Sequence, residues 1–217
     1  MATSKLLKKD LFGEVWLESS GDDRLIVRDA GKARLWLRWL ARLLMRREAR
    51  VLLALEGVTG VPELVSIDRN RLSRRYIAGR PMQEAQPSDP LFFRRAARCL
   101  RRLHVAGIVH NDLAKEPNIL VCENDEPAFI DFQLAGIGTH RGRLFRTLAY
   151  DDIRHLLKHK RTYCPGSLTR RERRILDNPS FAAAAWMRTG KPVYLFITRR
   201  LLGWADREGA ADRGRQD

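Results

Sequence analysis

Apolar and polar positions alternate around Gly13 in DLFGEVWLE, and again in RLIVR after an SSGDD turn. The pattern predicts two or three short strands over residues 10–28. From residue 32 to 55 the spacing changes to that of a helix, with Gly57 and Gly60 beyond its end. Val61-Pro62 opens a second extended pair, ELVSI and RLSRRYI, joined by a DRN turn, and AGRPM at 78–82 reads as a connector. Asp89-Pro90 is a helix start: Asp caps the free N–H groups and Pro fits the first turn. The helix that follows gathers Phe92, Ala96, Cys99, Leu100 and Leu103 on one face, its arginines on the other, and Gly107 stops it. ILV and PAFID flank an END turn and predict a β-hairpin. Residues 136–146, rich in Gly and Arg, read as a loop, followed by a helix from about Tyr150, further helical stretches and a polar end at 206–217.

Composition narrows the class. A chain of 217 residues with 44% hydrophobic content has enough apolar material for a core. Cys99, Cys122 and Cys164 have no metal-type spacing, which predicts a reducing, cytoplasmic setting. MATSKLLKKDLF lacks the apolar stretch of a signal peptide, and no apolar run is long enough to span a bilayer. The 41 Lys and Arg against 26 Asp and Glu, net +15, attract phosphates: nucleotide, nucleic acid, anionic lipid or phosphosugar. No aromatic-basic RNA motif accompanies that charge, so nucleic acid is not the expected partner.

The candidate chemistry lies in VHNDLAKEPNILV, residues 109–121. Polar groups set against an apolar strand are costly to bury without partners. Centring the hairpin turn between Asn124 and Asp125 sets Asn118 opposite Asp131, with Asp112 just upstream. Two carboxylates and an amide at one strand end suit a hard cation such as Mg²⁺, which prefers oxygen ligands.

These residues resemble the catalytic core of the protein-kinase superfamily. VHNDLAKEPNIL is similar to the catalytic loop HRDxxxxN, and FIDFQ to the DFG metal motif. The resemblance implies a two-lobed α+β fold: an N-lobe over 1–79, a C-lobe over 80–205 and a polar tail over 206–217. It implies ATP and Mg²⁺ as cofactors. Asp112 would orient the attacking hydroxyl and accept its proton, Asn118 and Asp131 would hold Mg²⁺, and His110 would brace the loop. Arg28 would stand on the nucleotide phosphates, paired with Glu48 on the next helix, and Lys32 is a stand-in. Gly13 would turn over the phosphates, Arg75 and Ile77 would mark the adenine hinge, and Lys115 would reach the γ-phosphate. Asp151 or Asp152, with Asp152 preferred, would pin the catalytic loop. Within the superfamily the chain looks most like small bacterial RIO-like serine/threonine kinases and lipopolysaccharide-core kinases.

The departures are specific. Asp112 and Asn118 are one residue further apart than in the usual motif, Arg28 stands where the family has Lys, and Gln133 replaces the DFG glycine. No APE segment follows, and little chain separates Asp131 from Asp151. The expected acceptor is a protein Ser/Thr hydroxyl, with a sugar-lipid hydroxyl at the inner membrane face as the alternative. A pseudokinase that binds nucleotide or a partner without turnover is the third reading. Arg34, Arg38, Arg42, Arg46 and Arg50 recur every fourth residue beside Trp36, Trp39, Leu40, Leu43 and Leu44. That helix reads first as packing on its sheet, and second as a face for peripheral contact with anionic membrane. VYLFITRRLLGW reads as core or as an aid to that contact. His104, His140, His155 and His159 read as structural, and Lys115 and Glu116 as solvated.

Overall fold

The first three strands run as consecutive hairpins, because short polar turns join segments that each have β-type side chains. In the computed structural model, which describes residues 3–138 and 141–178, these are β1 (Thr3–Asp10), β2 (Gly13–Ser20) and β3 (Asp23–Asp29). The first begins well before the predicted Asp10: its residues are nearly all exposed, so TSKLLKKD carries no core-facing alternation to betray it. Helix α1 (Arg38–Ala54) follows, then β4 (Leu64–Ile67), β5 (Arg71–Arg75), the short β6 (Arg80–Pro81) and the single turn α2 (Met82–Ala85). The five long strands form one antiparallel sheet in the order β1-β2-β3-β5-β4.

The helix expected from residue 32 starts at Arg38 instead. Asp29 accepts a hydrogen bond from the Gly31 N–H at 2.8 Å, and the Arg34 N–H is taken by the Leu11 carbonyl at 3.2 Å. Those tertiary and capping bonds divert Ala30–Lys32 and Leu35–Leu37 into two 3₁₀ turns. Gly13 sits where β2 passes the end of β3. Its φ is +126°, and a Cβ there would collide with the Asp29 carbonyl oxygen.

The second half begins with α3 (Pro90–Val105), capped by Asp89, whose carboxylate accepts from the Leu91 N–H at 2.7 Å. Then come β7 (Ile108–Val109), β8 (Ile119–Val121), β9 (Pro127–Phe129), β10 (Gly136–Ile137), α4 (Arg143–Tyr163) and α5 (Arg170–Asp177). The result is a mixed α+β architecture with five α-helices among the described residues. None of the described helices is long and apolar enough to cross a membrane. Helix α4 starts earlier than the predicted Tyr150. Phe145 packs on Gly138, where an added Cβ would lie 2.6 Å from the ring, and this anchors the first turn within an Arg-rich stretch. His140, the VYLFITRRLLGW segment and the polar tail lie outside the described residues.

The buried face of α3, with Phe92, Ala96, Cys99, Leu100 and Leu103, shares one core with Val51 and Leu52 of α1, with Leu55 just past its end, and with Ile119 and Phe129 of the hairpin. A smaller cluster, Ala30, Ala33, Ala41, Met45, Ala49 and Leu72, joins α1 to the sheet. Each fully buried large side chain contributes about 1.5–3 kcal/mol relative to exposure. Helix α1 therefore belongs to both clusters, and Glu48 falls between them.

The hairpin register differs from the expected one. Ile119 faces Phe129, Leu120 faces Ala128 and Val121 faces Pro127. Asn118 is thus opposite Ile130, whose N–H donates to the Asn118 carbonyl at 3.0 Å, and not opposite Asp131. The turn spans an odd number of residues. The Cys122 N–H closes it on the Glu126 carbonyl at 2.8 Å, with Asn124 and Asp125 both left-handed.

Candidate active site

Asp152 of α4 fixes the segment that leads into β8. Its Oδ2 accepts from the His110 N–H at 2.8 Å and its Oδ1 from the Asn111 N–H at 2.9 Å. His104 Nε2 lies 3.2 Å from the same carboxylate. One buried carboxylate therefore satisfies two successive backbone donors, and Asn111 adopts φ +62° between them. The His110 ring is fully buried against Phe132, with Nε2 3.1 Å from the Ile130 carbonyl. Burial pushes its pKa below the usual histidine value, so the ring is neutral.

The chain then presents Asp112, Lys115 and Asn118 as a unit. The Asn118 Nδ2 donates to the Asp112 carboxylate and to its carbonyl, both at 2.9 Å. Lys115 Nζ lies 3.2 Å from Asp112 Oδ2. Burial pushes the Asp112 carboxyl above the ordinary aspartate value, opposed by Lys115 and reinforced by the nearby charge of Asp131. Glu116 is not solvated as the sequence suggested. It accepts from the Tyr163 hydroxyl at 2.6 Å and lies 3.6 Å from His159 Nδ1, while His159 Nε2 is 2.8 Å from the Leu113 carbonyl. The loop with its extra residue is therefore strapped to the last turns of α4.

Asp131 follows the hairpin in a left-handed conformation, φ +63° and ψ +71°, which an aspartate adopts at some cost. Burial disfavours its charge, yet Arg28, Arg74 and Lys115 outweigh that and hold its carboxyl below the ordinary value. Arg28 Nη2 is 3.8 Å from Asp131 Oδ1, and Arg28 Nε is 3.6 Å from Glu48 Oε2. Gln133, with its amide oxygen turned toward the guanidinium, accepts from Arg28 as well. Arginine at position 28 and glutamine at position 133 thus fit one another.

Arg74 was not singled out by the sequence. Its Nη1 is 3.3 Å from Glu48 Oε1, so the fully buried Glu48 stands between two guanidinium groups. The period-two rule contained the clue: Leu72 and Arg74 share the inward face of β5. Arg47 ties α1 to the segment after Asp131 by donating to the Leu134 and Ala135 carbonyls.

Three predicted positions stand apart from this cluster. The Arg75 guanidinium bonds Glu63 at 2.9 Å and Asp23 at 3.0 Å on the exposed side of the sheet, and its N–H donates to the Glu63 carbonyl. Ile77 borders a separate cleft of about 620 Å³ with Thr59, Val61, Cys99 and Cys122. Lys32 lines a small cleft with Asp29, Asn70 and Arg71.

Among the described residues no three His, Cys, Asp or Glu side chains converge as metal ligands. At Asp131 the buried carboxylate Oδ1 has no hydrogen-bond partner, while the Asn118 amide nitrogen is held by Asp112. A carboxylate oxygen of this kind fits Mg²⁺, which keeps several waters and takes phosphate oxygens as further ligands, better than an ion that needs a full protein cage. No protein-family model matches the chain, and no curated protein matches it.

Proposed function

We propose that the protein is an ATP- and Mg²⁺-dependent phosphotransferase with a two-lobed kinase-like arrangement, the sheet and α1 forming one lobe and α3, the hairpin and α4 the other. One observation carries the reading. Asp112, tied to Asn118 and Lys115, lies within electrostatic reach of Asp131, which itself faces the Arg28–Glu48 pair. This is the order of parts that phosphoryl transfer needs: a hydroxyl-orienting carboxylate, oxygen ligands and a fixed cation.

In this reading Asp112 accepts a hydrogen bond from the acceptor hydroxyl and takes its proton as transfer proceeds. Its raised pKa makes it a better base than an ordinary aspartate. Asp131 and Asn118 would hold Mg²⁺, which when bound neutralises charge on the phosphates. Arg28, kept in place by Glu48 and Gln133, would fork onto phosphate oxygens. Asp152 and the Tyr163–Glu116–His159 strap keep the loop from drifting, since catalysis here is mostly positioning.

The acceptor ranked first is a protein Ser/Thr hydroxyl, on the resemblance alone. A lipid-borne sugar hydroxyl is the second reading. The observation favouring it is the start of α4 at Arg143, which leaves even less chain after Asp131 for a peptide-docking segment.

Labelled ATP and Mg²⁺ incubated with the full chain and separated protein, lipid-sugar and small-molecule fractions test the proposal. Label should enter one fraction and vanish with Asp112→Ala and with Asp131→Asn while both variants stay folded. Nucleotide uptake without transfer to any fraction would make the protein a pseudokinase. Absence of Mg²⁺-dependent ATP binding by calorimetry would end the reading.

A further inference from the structure

Helix α1 has two unlike faces. Ala41, Met45, Glu48, Ala49 and Leu52 point inward. The opposite face carries Trp39, Leu43, Arg46, Arg50 and Leu53, all exposed, at the spacing of successive helical turns. The 3₁₀ turn just before it adds Leu35 and Trp36. Leu35 is 79% exposed, Trp36 56%, Trp39 66% and Leu43 51%. Packing on the sheet, the first expectation for this helix, does not account for them: the sheet is covered by the other face.

The charge on this segment is one-sided. Between Ala30 and Ala54 lie Lys32, Arg34, Arg38, Arg42, Arg46, Arg47 and Arg50, against a single acidic residue, Glu48, which is fully buried. The crowding is felt locally: the Arg42 pKa is lowered by partial desolvation and by the neighbouring charges of Arg69, Arg38 and Arg46.

We propose that the outer face of α1 and the turn before it form a docking surface for an anionic lipid bilayer, with Leu35, Trp36, Trp39 and Leu43 entering the headgroup–acyl boundary and the flanking arginines meeting lipid phosphates. Leucines gain nothing from a nucleic-acid backbone, whereas they leave water on entering acyl chains. Tryptophan suits the boundary because its ring is apolar and its indole N–H stays wet. An interfacial helix combines such an apolar strip with a cationic flank. The inference does not depend on phosphate transfer: the surface lies on the side of α1 away from Glu48 and the cleft.

Sedimentation of the full chain with vesicles tests it, using phosphatidylglycerol mixed with phosphatidylcholine against phosphatidylcholine alone. The protein should bind the anionic vesicles, bind neutral ones at least tenfold more weakly, and detach as salt rises. The variant Trp36→Ser/Trp39→Ser/Leu43→Ser should lose at least tenfold in binding with an unchanged unfolding midpoint, because those side chains are exposed. Arg46→Glu/Arg50→Glu should lose binding as well. Equal binding to both vesicle types, no binding, or wild-type binding by the triple variant overturns the proposal. So does a concentration-dependent dimer that the triple variant abolishes, which would assign the face to a second copy. Tight binding to duplex RNA unaffected by the triple variant, with none to vesicles, would assign the charge to nucleic acid.

Discussion

Glu48 and Asp112 hold their charges in opposite ways. Under the sheet, Glu48 is fully buried, and its oxygens are compensated by the ion pairs to Arg28 and Arg74 at 3.6 and 3.3 Å without a well-formed hydrogen bond. At the start of the hairpin, Asp112 is partly accessible and accepts two close contacts, from Asn118 and Lys115. A fully desolvated ion group is expensive to disturb and so fixes geometry. A half-desolvated carboxylate with a raised pKa is destabilised in its charged form and so is ready to take a proton. The first arrangement fixes a frame, and the second, in the proposed reading, leaves a group within it able to accept a proton.

The comparison is sharpest in a stability experiment. Glu48→Ala leaves the buried Arg74 and the largely buried Arg28 without their shared partner and should cost about 3–5 kcal/mol in denaturant unfolding. Asp112→Asn should cost nothing or raise stability, because it removes the penalty of a half-buried charge. If both substitutions destabilise equally, the distinction between frame and reactive group fails.

Asp152→Ala comes next. It strands the His110 and Asn111 N–H groups, only the first of them deeply buried, at a cost of about 2–3 kcal/mol. Hydrogen exchange at residues 110–112 should rise more than at the β8–β9 ladder. Tyr163→Phe removes one hydrogen bond to the Glu116 carboxylate, worth about 1.5 kcal/mol. Its larger signature should be a lower rate of transfer with little change in nucleotide affinity, because the strap acts on the loop that carries Asp112.

The smallest and most discriminating effect is on pH. If Asp112 takes the acceptor proton as proposed, transfer should fall on the acid side at a pH above the ordinary aspartate value, because its raised carboxyl must be ionised to act. Asp131 has the opposite sign. Its folded pKa is depressed, so it contributes stability that is present above the unfolded value and lost as pH falls through the folded one. Unfolding midpoints of wild type and Asp131→Asn should therefore converge in acid.

Much of the frame is legible in local pattern. Asp89-Pro90 and the apolar stripe of α3 specify that helix and its inward face, because capping and amphipathic period act within a few residues. ILV and PAF flanking a turn specify a hairpin for the same reason. Asp112, Lys115 and Asn118 come together because they share one short loop. Where partners are distant in sequence, pattern gave less. Arg74 reaches Glu48 from another strand, Tyr163 reaches Glu116 from the far end of α4, and Gln133 meets Arg28 from beyond the hairpin.

The sequence by itself determined the types of the main elements, the basic helix and the residues around VHNDLAKEPNILV, since propensity, capping and side-chain chemistry are properties of neighbours along the chain. Tertiary structure decided the hairpin register, the starts of α1 and α4, the double clamp on Glu48 and the outward turn of Trp36 and Trp39. Each of these depends on which surfaces meet: a turn closing over an odd number of residues, Arg34 bonded to Leu11, Phe145 seated on Gly138, and a sheet that covers only one side of α1. Contacts between segments far apart in sequence set those choices, and no window of neighbouring residues contains them.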